Sequence, residues 1–137
     1  MMNANASIAV ETGLASEADA MTAVAVKAIV RVFKAWRLGI PDAARLAGVS
    51  ERTWSRMKGE AWPGTLSHDQ RLRASAIVGV YKGLHLYFGD DLADKWVKMR
   101  NQGPLFEGST PVEYMLDDGL PAIIHVREYV DATRGGM

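Results

Sequence analysis

Between residues 45 and 58 the chain sets out Arg45, Ser50, Arg52, Ser55, Arg56 and Lys58. A guanidinium is a rigid fork of donors that fits a guanine edge or a phosphate, and hydroxyls and an ammonium donate to phosphate oxygens. On a helix opening at Ser50, 100° per residue gathers Arg52, Ser55, Arg56 and Gly59 on one outward face. Ser50, Glu51 and Lys58 fall at its edges. Such a face suits the major groove of DNA. Solvated charges on an ordinary surface helix would produce the same residue types, so the reading depends on what surrounds them.

The surroundings are IPDAARLAGVSERTWSRMKGE, residues 40 to 60. Pro41 suits the first turn of a helix and Gly48 its stop, while Ser50 suits the cap of the next. Two short helices crossing sharply need a small contact residue, which Ala44 supplies. The turn between them needs tolerance of positive φ, which Gly48 supplies. Val49 fills the corner, and Trp54 and Met57, three apart, face inward with Leu46. This is the layout of a helix-turn-helix. Arg45, and Lys34 or Arg37 on the preceding helix, are placed to add contacts to a phosphate backbone. One copy carries few cations, so a homodimer on a two-half-site operator is expected.

The remaining segments also carry helical periodicity, and none shows sustained alternation of period two. MTAVAVKAIVRVFKAW, residues 21 to 36, puts Lys27, Arg31 and Lys34 on one narrow stripe and is apolar nearly everywhere else. So wide an apolar surface predicts burial on two sides, by its own domain and by a second copy of the chain. Gly39 is the expected stop. A long helix is predicted from about His68 to Phe88, capped by Ser67. A shorter one is predicted over DDLADKWVKMRN, and two more open at Pro111 and Pro121. The fold expected is all-α: a flexible arm over 1–20, a helix-turn-helix region over 21–66 and a second helical domain over 67–137.

Composition narrows the functions available. The chain has 137 residues, 48% hydrophobic, with no cysteine and three scattered histidines. Thiolate chemistry is thereby excluded, and no metal-ligand spacing is present. There is no nucleophile–base pair and no phosphate-binding loop, so the chain is not expected to be an enzyme. The Asp90, Asp91, Asp94 cluster reads as helix-start carboxylates near a positive dipole end rather than as a cation site. No segment is long enough to span a membrane and the N-terminus has no secretory pattern, so a cytoplasmic location is expected. The formal charge of zero hides a gradient: residues 31–60 hold seven Lys/Arg against three Asp/Glu, and residues 101–137 hold two against six. Two surfaces with different partners would account for this separation.

The second surface is sought in the C-terminal third, where Trp96, Asn101, Leu105, Gly108, Pro111, Gly119 and a closing Gly135-Gly136 follow in order. Behind a helix-turn-helix, these landmarks resemble the C-terminal toxin-binding domain of the Xre/MbcA/ParS-type antitoxins. The resemblance covers the chain from about residue 20 to its end. It implies the antitoxin of a type II pair whose toxin carries a RES domain, resembles ADP-ribosyltransferases and consumes NAD. The C-terminal domain would cover the toxin's active site, and the helix-turn-helix would repress the operon. No cofactor is implied for this chain.

The residues themselves leave the contacts of this domain open. Leu105 and Phe106, framed by glycines and Pro104, either fold back onto Trp96, the favoured reading, or meet another protein. Arg127, Asp131 and Arg134 lie on the polar face of the last helix. Arg134-Gly135-Gly136 is a short end able to carry a charge into an anion pocket. Gly79 and Gly83, four apart, predict close helix packing against an aromatic such as Trp96. A stand-alone repressor, with a C-terminal domain that senses a ligand or only dimerises, remains the alternative.

Overall fold

Alanine-rich spacing, three proline starts and several hydroxyl caps divide the chain into helices. In the computed structural model, residues 4–59 and 62–135 are described, with side chains for 17–59 and 62–133. Among them are seven helices and no strand: α1 (Ala4–Ala35), α2 (Ile40–Ala47), α3 (Glu51–Lys58), α4 (His68–Tyr87), α5 (Asp90–Trp96), α6 (Pro111–Asp118) and α7 (Leu120–Gly135). The all-α expectation holds. Helix α1 begins at Ala4 rather than Met21, so residues 4–20, read as an arm, belong to it. Six alanines between Ala4 and Ala20 favour that state locally.

Helix α1 buries Thr22, Val26, Ile29 and Phe33 at helical spacing along one face, and Trp36 just past its end continues that face. Its stop differs from expectation. Arg37, not Gly39, takes the left-handed turn at φ 55°. The Leu38 N–H bonds Phe33 O at 3.0 Å, and the Arg37 N–H bonds Lys34 O at 3.0 Å. The conformation costs a residue with a Cβ about 1 kcal/mol, and Lys98 Nζ holds it by donating to Arg37 O at 2.7 Å. Gly39 instead precedes α2 with an ordinary φ of −74°.

Helix α4 packs against both α1 and α7. A reciprocal cap starts it: Ser67 Oγ accepts from the Gln70 N–H at 3.2 Å, and Gln70 Oε1 accepts from the Ser67 N–H at 2.8 Å. Ile77 and Val80 are fully buried. Gly79 and Gly83 do serve close packing, but against α7 and not Trp96. A Cβ on Gly79 would overlap the Arg127 side chain, and one on Gly83 would come within 2.7 Å of Val130 Cγ1. Trp96 stacks on Tyr129 further along α7, with ring centroids 6.2 Å apart.

Helix α5 is shorter than DDLADKWVKMRN suggested. After Trp96 the chain tightens, with the Lys98 and Met99 N–H groups reaching back three residues to Lys95 O and Trp96 O. The α4–α5 corner is clamped by His85, whose Nδ1 lies 2.9 Å from Asp90 Oδ1 and whose Nε2 lies 2.7 Å from Asp94 Oδ1. Asp90 and Asp94 are therefore engaged by a side chain. Burial of the ring opposes its charge, but the hydrogen bonds and charges of Asp90 and Asp94 outweigh that and raise the His85 pKa. A raised histidine pKa contributes stability fully present below the unfolded value, near 6.5, and lost as pH climbs through the folded value. Thermal melts across this range should show the wild type losing an increment that His85→Gln does not lose. Parallel pH profiles for the two would contradict the clamp.

Candidate functional site

The helix-turn-helix forms as its residues imply. Gly48 adopts φ 76° and ψ 35°, and its N–H reaches Ala44 O and Arg45 O. The Val49 N–H bonds Ala44 O at 3.0 Å. Ala44, Leu46, Trp54 and Met57 are all buried. Trp54 meets Phe33 of α1 with ring centroids 5.3 Å apart, which fixes α3 on the core.

Arg52, Ser55, Arg56 and Lys58 are exposed on α3, and Arg45 is exposed on α2. Ser50 is also exposed, but its hydroxyl is occupied locally. It accepts from the Thr53 N–H at 3.1 Å and donates to Thr53 Oγ1 at 3.0 Å. Ser50 thus caps α3, as its position implied. Lys58 reaches the rim of a groove of about 920 Å³ between α1, the end of α3 and Trp62–Gly64. Lys27 and Arg31 share that rim, and Asp19 also lines it. Sequence reasoning chose Lys34 and Arg37 as the supporting cations of α1. The stripe carried the signal, but only tertiary packing shows that its Lys27–Arg31 end meets α3.

Two side chains that no motif pointed to hold this unit in place. Arg73 of α4 has its side chain only 18% exposed. Its Nε donates to Asp69 Oδ2 at 2.7 Å, and one terminal nitrogen reaches Arg45 O and Leu46 O at 3.2 and 3.3 Å. Those carbonyls lie in the last turn of α2, where the Gly48 N–H also reaches Arg45 O. Gln70 Nε2 donates to Gly48 O at 3.1 Å. The turn of the helix-turn-helix is thus fastened to the first two turns of α4.

In the second half, the opening of the 97–110 loop is folded back, as the favoured reading had it. Phe106 is 2% exposed. It stands edge-on to Trp96, Tyr114 and Tyr129 at 5.7, 5.6 and 5.2 Å. As a partner-contact residue Phe106 is therefore corrected, because its ring is spent inside the domain. Leu105 is half-buried against the same core. Asn101 organises the loop: its Oδ1 accepts from the Gly103 N–H at 2.8 Å, and its backbone pairs with Gly108 and Ser109. Gly108 sits at φ 92°, which accounts for glycine there.

Arg127 and Asp131 face α4 along the α7 surface. Arg127 donates to Ser75 O at 3.3 Å, its Nε is 3.8 Å from Asp131 Oδ2, and its stem covers Gly79. Both are less outward than a solvated polar face implied. Arg134 and Gly135 close α7, and Gly136 lies outside the described residues. Near this end is a cleft of about 200 Å³ whose walls include Tyr87, Phe88, Trp96, Tyr129 and Thr133. Tyr87 is 38% exposed and its neighbour Leu86 is 70% exposed. The cleft draws on three segments distant in sequence, and periodicity alone does not bring them together.

An all-helical chain with a helix-turn-helix fastened to a second helical unit by one shared helix defines a two-part helix-turn-helix protein. Its matches give the family. Residues 16–79 match the antitoxin Xre-like helix-turn-helix domain, and residues 84–136 match the antitoxin Xre/MbcA/ParS C-terminal toxin-binding domain. The chain belongs to the Xre/MbcA/ParS antitoxin family. It is also 33% identical over 111 residues to the uncharacterized protein y4oB of Sinorhizobium fredii (strain NBRC 101917 / NGR234), covering 80% of this chain and 84% of that protein. Among the described residues no helix is long and apolar enough to cross a membrane.

The arginines of α3 provide the direct test of its face. Replacing both Arg52 and Arg56 by Ala should abolish gel-shift retention of the DNA upstream of the coding sequence, while stability changes by no more than about 0.5 kcal/mol for each exposed site. Retention equal to the wild type would remove α3 from the interface.

Proposed function

We propose that this antitoxin neutralises a RES-domain toxin that consumes NAD, by covering its active site, and represses its own operon as a homodimer on operator DNA in the cytoplasm. The observation that carries the reading is the joining of an antitoxin helix-turn-helix and a toxin-binding domain in one chain. The α3 face supports the DNA role, with Arg52, Ser55, Arg56 and Lys58 outward and Arg45 beside them. The end of α7 supports the toxin role. Arg134 and Gly135 end a helix flanked by the aromatic cleft, and with Gly136, next in sequence, and Leu105, Arg127 and Asp131 we assign them to the toxin contact. The chain acts by binding, and the catalytic chemistry and the NAD pocket reside in the toxin.

The two roles use different regions of one molecule, so one experiment reads both. The chain is co-expressed with the neighbouring open reading frame and purified through a tag on this chain. A stable complex that rescues growth and retains the upstream DNA is the expected result. A harmless neighbour that fails to copurify, with DNA retention intact, would replace this reading with that of a stand-alone repressor.

A further inference from the structure

The last turn of α4, the end of α5 and the second half of α7 enclose the aromatic cleft, and its walls are fixed from behind. Phe88 closes α4, with its N–H bonded to Leu84 O at 2.8 Å, and its ring meets Tyr87 edge-on at 4.7 Å between centroids. The His85 clamp, in the same turn of α4, holds α5 at this corner through Asp90 and Asp94. Trp96 lies nearly parallel to Tyr129, at 24° between ring planes. The buried ring of Phe106 stands edge-on to both. Gly83 has no side chain to obstruct Val130, so α7 comes in close, and Leu84 and Val130 are buried where they line the cleft. The cleft is therefore formed before anything enters it.

Its size and lining limit what can enter. Among the described residues no charged side chain lines it, so an ion would lose its hydration there without gaining a partner. Its volume is about 200 Å³. An apolar cavity of about 150 Å³ already takes a benzene ring, whereas small-molecule and cofactor sites span about 300–1,000 Å³. One ring or one branched aliphatic side chain fits; a dinucleotide does not. Interfaces concentrate their affinity in well-packed pockets of this kind, with Tyr and Trp prominent among the contributors. Walls already in place also spare the ordering cost that a flexible surface meets on binding.

The source of that side chain follows from where the cleft lies in the chain. Every residue that lines it falls within 84–136, the span that matches the toxin-binding domain. The larger grooves, of about 920 and 880 Å³, both draw on α1, which lies outside that span. We propose that the cleft receives one apolar side chain, aromatic or branched aliphatic, projecting from the toxin. This rests on the antitoxin reading and deepens it. The end of α7 reaches toward the toxin, and the toxin is in turn anchored between α4, α5 and α7.

Tyr87→p-benzoylphenylalanine keeps an aromatic ring at position 87 and makes it photoreactive. In cells that co-express this variant with the neighbouring open reading frame, irradiation should crosslink it to the neighbour's product. Thr133→Phe sets a ring into the cleft from its own wall. It should weaken the purified complex at least about tenfold without changing the circular dichroism of this chain; if the circular dichroism does change, the crosslink decides alone. A normal complex that yields no crosslink from position 87 would overturn the cleft and leave the antitoxin reading standing. So would a folded Thr133→Phe chain that binds as tightly as the wild type. A crosslink to a second copy of this chain, in place of the neighbour's product, would overturn the proposal by making the cleft a seam between copies. A wild-type chain that captures none of the neighbour's product would remove the antitoxin reading, and the proposed occupant of the cleft with it.

Discussion

The guanidinium of Arg73 sits where the two halves of the chain meet. It bonds Asp69 on its own helix, reaches the last carbonyls of α2, and lies against Gly48 and Gly119. A Cβ on Gly48 would fall 2.9 Å from its Cδ and Nε, and one on Gly119 would fall 3.4 Å from a terminal nitrogen. Hydrogen bonds involving a charged group contribute about 1.5–3 kcal/mol each where well formed, and Arg73 directs its own to carbonyls in the last turn of α2. One side chain thereby ties the turn that aims α3 to the helix on which the toxin-binding domain is built, and it passes beside the turn into α7.

Helix α4 is thus more than a connector between domains. Its first two turns hold the helix-turn-helix through Gln70 and Arg73. Its middle gives up side chains at Gly79 and Gly83 so that α7 can approach. Its last turn is pinned to α5 by His85. Because α7 presses directly on α4, the region proposed to meet a toxin is supported by the same rod that supports the region proposed to meet DNA. The matched families divide the chain close to this helix, at residues 79 and 84, yet α4 runs through that division without a break.

Much of this was legible in the residues because the relevant physics is local. Gly48 had to accept positive φ, Ser67 could cap only the helix that follows it, and Trp54 with Met57 could share only one face of α3. The misreadings arose where distant segments decide. Arg37 takes the left-handed turn that a neighbouring glycine would have taken at no cost, with Lys98 from sixty-one residues away bound to its carbonyl. Phe106 finds three aromatic neighbours scattered from residue 96 to residue 129, and periodicity has no means of assembling them. The register of Arg73 against Gly48 and Gly119 likewise belongs to the tertiary structure alone.

The functional account depends on what the second half is for, and NAD itself is the most direct reporter. Intracellular NAD should be measured in cells expressing the neighbouring open reading frame alone, and again with this chain supplied from a separate promoter. The account predicts that NAD collapses in the first case and is restored in the second, at unchanged levels of the neighbour. NAD that holds steady while the neighbour arrests growth would contradict the proposed toxin class, and a collapse that this chain does not reverse would contradict active-site occlusion.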